Sequence, residues 1–139
     1  MIYINNRFII LCSNLRDFNL NRKESYIANT ITLNNKDNNI KKVYLDYSAN
    51  IVANNTNNES ITIEIYKETI GMNNLELLET PYNYSIVGNL KEAFTIFICD
   101  NNICNECYNY IVIYKISSDV NSGNLNIINS NIRLTCELF

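Results

Sequence analysis

The chain has 139 residues and a net charge of −3, from 11 basic and 14 acidic side chains, with no histidine. The missing histidine removes the commonest general base and the commonest metal ligand, and the scattered basic residues give no phosphate-binding patch, which excludes nucleic acid as a partner. No stretch approaches the ~20 apolar residues of a membrane span, and the length fits one domain with a real core.

Residues 1–24 differ from the rest. An apolar patch from Phe8 to Leu11 leads to Cys12 and then to a mostly polar stretch up to Glu24. The patch is too short for a signal-peptide core, so the expectation is synthesis in the cytoplasm without a leader. Two readings stay open for this segment: the first strand of the domain, or a connector arm that docks on a neighbouring copy. In the second, Ile2, Ile4, Phe8 and Ile10 make the connector contacts, and twelve extended residues reach roughly 40 Å.

Residues 25–139 read as the main domain, with period two almost throughout. After a weaker candidate strand at 26–33, Val43, Leu45, Tyr47, Ala49 and Ile51 alternate with mostly polar neighbours, and Ile61, Ile63 and Ile65 alternate with Thr62 and Glu64. The one short helical possibility lies around Leu75 to Glu79. A weaker strand at 82–87 precedes Phe94, Ile96 and Ile98, which alternate with Thr95, Phe97 and Cys99. Tyr108, Tyr110, Val112, Tyr114 and Ile116 form one face of the next strand, and Ile111 and Ile113 on its other face point to cover on both sides. A last weak candidate, 124–128, precedes the alternation of Ile132, Leu134, Cys136 and Leu138. Such runs are half-buried antiparallel strands. Asn-rich turns separate them at 34–39, 54–58 and 121–124. With only three glycines in the chain, Asn must supply left-handed turn positions. Seven or eight short strands at this spacing imply an all-β fold: an antiparallel β-sandwich, jelly-roll-like, with an N-terminal extension. The 28 Asn interleave with Ile, Val and Tyr at strand spacing, which is how a folded sheet looks, not a prion-like tract.

The five cysteines carry the functional signal. Cys12 stands alone, and the others follow as Cys99-x4-Cys104-x2-Cys107-x28-Cys136. If the others pair, the odd count leaves one thiol for another molecule. The disulfide reading makes Cys12, Cys104 and Cys107 intersubunit linkers, with Cys99 and Cys136 as further disulfide or core residues. The rival is a metal-binding electron-transfer protein, because Cys99, Cys104, Cys107 and Cys136 have the spacing of plant-type [2Fe–2S] ligands. The loop Asp100-Asn101-Asn102-Ile103 lacks the small residues that let backbone approach a cluster, and only Cys104 and Cys107 form a zinc-type close pair. Cys136, in phase with Ile132 and Leu134, reads as a small core hydrophobe. A third reading is an adhesin or ligand-binding sandwich, whose sign would be an exposed tyrosine cluster. Neither a histidine-activated nucleophile nor a Gly-rich phosphate loop occurs, so the expectation is no enzyme and no cofactor.

Val43-x-Leu45-Asp46-x-Ser48-Ala49 and Phe94-Thr95-Ile96-Phe97-x-Cys99-Asp100, with Cys104 and Cys107-x-x-Tyr110-x-Val112, resemble a clostridial family of small Cys-containing β-proteins across residues 43–116. In arrangement the chain is similar to subunits of bacterial endospore appendages, jelly-roll domains whose Cys-bearing N-terminal connector bonds subunits further along a fibre. That resemblance implies a structural, self-assembling subunit of a spore-surface filament or coat, a helical homopolymer in contact with other coat or exosporium proteins. It would be exposed to oxidising surroundings once the mother cell lyses.

Overall fold

A computed structural model of the chain describes residues 2–4, 7–36 and 39–138, the first three by their backbone. All regular elements among them are antiparallel strands: β1 (Ile2–Ile4), β2 (Phe8–Cys12), β3 (Arg16–Asn19), β4 (Ser25–Asn34), β5 (Ile40–Thr69), β6 (Asn74–Leu77), β7 (Tyr82–Asp100), β8 (Cys107–Ile116) and β9 (Asn124–Leu138). The expected alternation holds residue by residue. Val43, Leu45, Tyr47, Ala49 and Ile51 are buried, as are Ile61, Ile63, Ile65, Ile96, Ile98, Ile132 and Leu134. Each fully buried Ile or Leu contributes about 1.5–3 kcal/mol.

The length of β5 departs from expectation. The alternating runs at 43–51 and 61–65 are two halves of one strand, and the turn expected at 54–58 is a bend inside it. Asn55 takes a positive φ of 53°, and the pairing with β7 shifts register between Ala53 and Thr56 and again between Thr56 and Glu59. Across the ladder Gly88 has φ 73°. These left-handed residues let both strands bend together without leaving the ladder. The same device joins the candidates at 82–87 and 94–98 into β7. The three non-glycine residues of positive φ among those described are Asn55, Asn73 and Asn129, as the shortage of glycine demands.

The bend divides the molecule into two layers. On one side the first half of β5 lies between β9 and the second half of β7, and β2 and β1 extend that layer beyond β9. On the other side the second half of β5 pairs with β8, which pairs with β4. The helical possibility at 75–79 gives way to a strand. Gly71 (φ 90°) and Asn73 (φ 48°) turn the chain sharply, so that β6 returns along β5 from Thr69↔Asn74 to Tyr66↔Leu77.

The layers meet in a tyrosine-rich core. Tyr47 of β5 and Tyr114 of β8 touch through their hydroxyls at 2.7 Å, and Phe18 packs edge-on against Tyr114 at 5.3 Å. Tyr47 also lies 2.6 Å from Ser130 Oγ, and Ser130 donates to Asn29 Oδ1. With the serine proton committed to Asn29, Tyr47 must donate to Ser130 and Tyr114 to Tyr47. This one-way relay satisfies every hydroxyl it contains, the condition for a buried polar network to be tolerated.

Candidate functional site: the cysteines and the sheet borders

The N-terminal segment lies on its own sheet in the single chain. Phe8, Ile10 and Cys12 of β2 pair with Glu137, Thr135 and Arg133 of β9. Backbone pairing sets Ile2 opposite Leu11 and Ile4 opposite Ile9; the side chains of Ile2 and Ile4 lie outside the described residues. Ser13 pins the segment where it leaves β9: its N–H donates to Ile132 O (2.9 Å), and its Oγ accepts from Ile132 N–H (2.8 Å) and Asn29 Nδ2 (3.3 Å).

Cys12 is half-buried and lines a shallow polar cleft with Asp46, Ser48, Thr95, Asn131 and Arg133. One row of cross-strand partners runs over this outer face: Cys12, Arg133, Asp46 and Phe97. Arg133 and Asp46 form an ion pair at 3.0 Å, exposed enough to contribute under about 1 kcal/mol. Phe97 is 55% exposed and stacks on Tyr44 at 6.1 Å. Cys99, two residues further along β7, shares this face and is exposed. The core option for Cys99 therefore does not hold, and its aromatic neighbour Phe97 does not cover it, because Phe97 leans on Tyr44 outside the sheet.

Cys104 is exposed and Cys107 half-buried at one end of the sandwich. The loop that carries them is tied down through its backbone. Cys104 N–H donates to Tyr108 Oη (2.8 Å), and its carbonyl accepts from Asn35 Nδ2 (2.8 Å). Asn35 also exchanges two bonds with the backbone of Ile40, which links the loop to the start of β5. The Cys107 thiol donates to Asn34 Oδ1 at 3.4 Å. Cys136 is wholly buried, and burial pushes its thiol up to about 12. No two of the five cysteines are bonded within the chain. Among the described residues no group of three or more His, Cys, Asp or Glu side chains is placed to hold a metal ion, and the [2Fe–2S] quartet is split between core and surface.

The sequence reading missed the buried polar residues beneath this loop. Lys67 Nζ lies 2.9 Å from Asp100 Oδ2, with the two side chains only 3% and 5% exposed. Tyr110 donates to the same oxygen (2.7 Å), and the Asn102 N–H donates to Asp100 Oδ1 (3.0 Å). Burial, with the Asp100 charge second, pushes the Tyr110 phenol far above its usual value, so it stays protonated. The signal was present: Lys67 falls in phase with Ile61, Ile63 and Ile65, and Asp100 with Phe94, Ile96 and Ile98.

Among solved structures the chain is similar to the Eiger TNF of S. frugiperda, at 8% identity and TM-score 0.58, with 96% of this chain and 94% of that one covered. It is equally similar (8% identity, TM-score 0.58) to a protein in the structure of infectious bursal disease virus Gx strain. There the match covers 95% of this chain and 38% of the viral one. These likenesses establish the jelly-roll-like β-sandwich fold. No curated protein matches the chain. The family described as Domain of unknown function (DUF4489) matches residues 14–135, and the chain belongs to it.

Proposed function

We propose that the chain is a structural, non-enzymatic subunit of a bacterial spore-surface filament or coat, made in the mother cell and joined to its copies by strand augmentation and intersubunit disulfides. The observation that carries this reading is the placement of Cys12 and Cys99 on one face of one layer, toward its opposite borders. β7 pairs with β5 alone among the described strands, so its other edge presents unpaired backbone groups along 19 residues, a template for another strand. Its charged residues are few, Lys91 and Glu92 near the bend, then Asp100 at the end.

Strand direction supports the same joint. β9 is antiparallel to β5, β2 to β9, and β7 to β5, so β2 and β7 run in opposite directions. A second copy laid beside the first in the same orientation offers its β7 to β2 as an antiparallel partner, once the three-residue β1 moves aside. That contact is heterologous and propagates. Cys12 then reaches the face that carries Cys99 of the next copy, with Cys104 and Cys107 available at the end of the sandwich. Oxidising conditions after mother-cell lysis would close the bonds, and other coat or exosporium proteins would meet the same thiols. The exposed tyrosine cluster that would mark an adhesin is absent among the described residues: Tyr47, Tyr108, Tyr110 and Tyr114 are buried and Tyr26, Tyr44, Tyr66, Tyr82 and Tyr84 half-buried.

The test is non-reducing electrophoresis beside negative-stain microscopy of air-oxidised protein. Wild type should form multimers that reductant shortens, whereas Cys12→Ser and a deletion of residues 1–15 should stay folded and form none that survive dilution. A wild-type chain that runs as one free species, with Cys12 still alkylatable after oxidation, overturns the proposal.

A further inference from the structure

Lys67 and Asp100 stand where the strand period calls for apolar side chains, and they come from different layers. Lys67 belongs to the half of β5 that pairs with β8. Asp100 ends β7, opposite Val43 in the other half. Their side chains meet between the layers at 2.9 Å, nearly shut off from solvent. A buried ion pair is a poor source of stability, because desolvation of both charges offsets their attraction. The surrounding groups are arranged for something further.

Asp100 Oδ1 accepts the Asn102 N–H, and Oδ2 receives both Lys67 Nζ and the Tyr110 hydroxyl. The Asn102 carbonyl accepts from Nζ, and the Tyr108 ring lies 4.4 Å from it. A nucleophile, an acceptor carboxyl, a donor on the oxygen that would carry negative charge and a proton-bearing phenol on the oxygen that would leave are thus collected around one buried pair.

We propose that Lys67 and Asp100 condense to an isopeptide amide, a covalent tie between the two layers. The ammonium proton passes to Oδ2 along the existing contact, which gives an amine and a carboxylic acid. The amine attacks Cγ while Oδ1 is held by the Asn102 N–H. Oδ2 leaves as water, taking one further proton from nitrogen through the Tyr110 hydroxyl. The Nζ–Cγ bond forms, the Cγ–Oδ2 bond breaks, one water departs, and nothing is oxidised or reduced. Fixed neighbours of this kind react as if at an effective concentration on the order of 10⁵ to 10⁸ M. The product is neutral, so the buried charges disappear. The step belongs to the single folded chain and stands whether or not copies assemble.

Intact mass of the purified, reduced full-length chain tests it. The expected mass is that of the sequence less one water, trypsin no longer cleaves after Lys67, and fragmentation finds a branched peptide joining Lys67 to Asp100. Lys67→Arg and Asp100→Ala each return the full mass. Tyr110→Phe keeps both partners and slows condensation by about tenfold or more; an unchanged rate removes Tyr110 from the step. A folded wild-type chain at its full mass, or a water loss mapped to any other pair (a succinimide at Asp100 included), overturns the proposal.

Discussion

Cys136 and Cys99 lie one strand apart across β5, Cys136 opposite Val43 and Cys99 opposite Tyr44, yet the one-residue offset puts one in the core and the other in solvent. Only the thiolate reacts. With Cys136 held at about 12 by burial, roughly one molecule in ten thousand carries the thiolate at pH 8. Iodoacetamide on the reduced, folded chain should therefore label Cys12, Cys99, Cys104 and Cys107 but spare Cys136 until denaturant is added. Mass spectrometry reads this directly, and native labelling of Cys136 at the rate of the others would place it outside the core. Its burial was legible from phase alone, because Ile132 and Leu134 set the inward parity. The exposure of Cys99 was not, since an aromatic neighbour on the same face reads as burial unless its stacking partner is known. Lys67 and Asp100 show the complementary limit: their phase marks them as inward, but residues 33 apart meet only through the bend of β5 and β7.

At the scale of elements, period two located the runs and misjudged their continuity. Asn54-Asn55-Thr56-Asn57-Asn58 has the composition of a loop, and only pairing with β7 on the far side of Gly88 makes it a bend. The turn before β9 is fitted to that bend. A Cβ on Gly123 would lie 1.9 Å from Asn54 O and 2.6 Å from the carbonyl carbon and oxygen of Asn55, whereas one on Gly88 meets nothing within 4 Å. Both glycines have φ 73°. Gly88→Ala therefore pays only the left-handed strain, about 1–2 kcal/mol. Gly123→Ala adds a clash with backbone that cannot yield, and should cost at least about 2 kcal/mol more. Urea midpoints measure the gap. Equal losses would mean that the 121–124 turn moves freely against β5. The short β6 escaped the reading for a related reason: Leu75-Glu76-Leu77-Leu78-Glu79 suits a helix, but Gly71 and Asn73 commit it to a hairpin before it can coil.

For the whole molecule, the two layers are held by apolar burial and by a relay that works only while its phenols keep their protons. Tyr47 is pushed up to about 12 by burial, and Tyr114 is raised further in the same direction, by burial first and the neighbouring Tyr47 second. In the unfolded chain these phenols titrate near the ordinary value of about 10. Below that pH both states are protonated, and the titration of these phenols adds no pH dependence to stability. Above it the unfolded chain loses protons that the folded chain retains, so stability falls as pH rises from about 10 to 12. The shift at Tyr47 alone corresponds to about 2–3 kcal/mol across that window. Thermal unfolding between pH 8 and 11.5 should therefore give a midpoint that declines gently from about pH 9, where the buried Cys136 thiol begins to count, and steeply beyond about pH 10. Tyrosinate absorbance from the core phenols should rise only together with unfolding. Tyr47→Phe should lower stability at pH 8, because Tyr114 and Ser130 each lose a partner, and should leave a shallower descent above pH 10. If instead all the tyrosines of the folded chain ionise in one stage near 10, the layers are not closed over Tyr47 and Tyr114, and the sandwich does not hold together through its tyrosines.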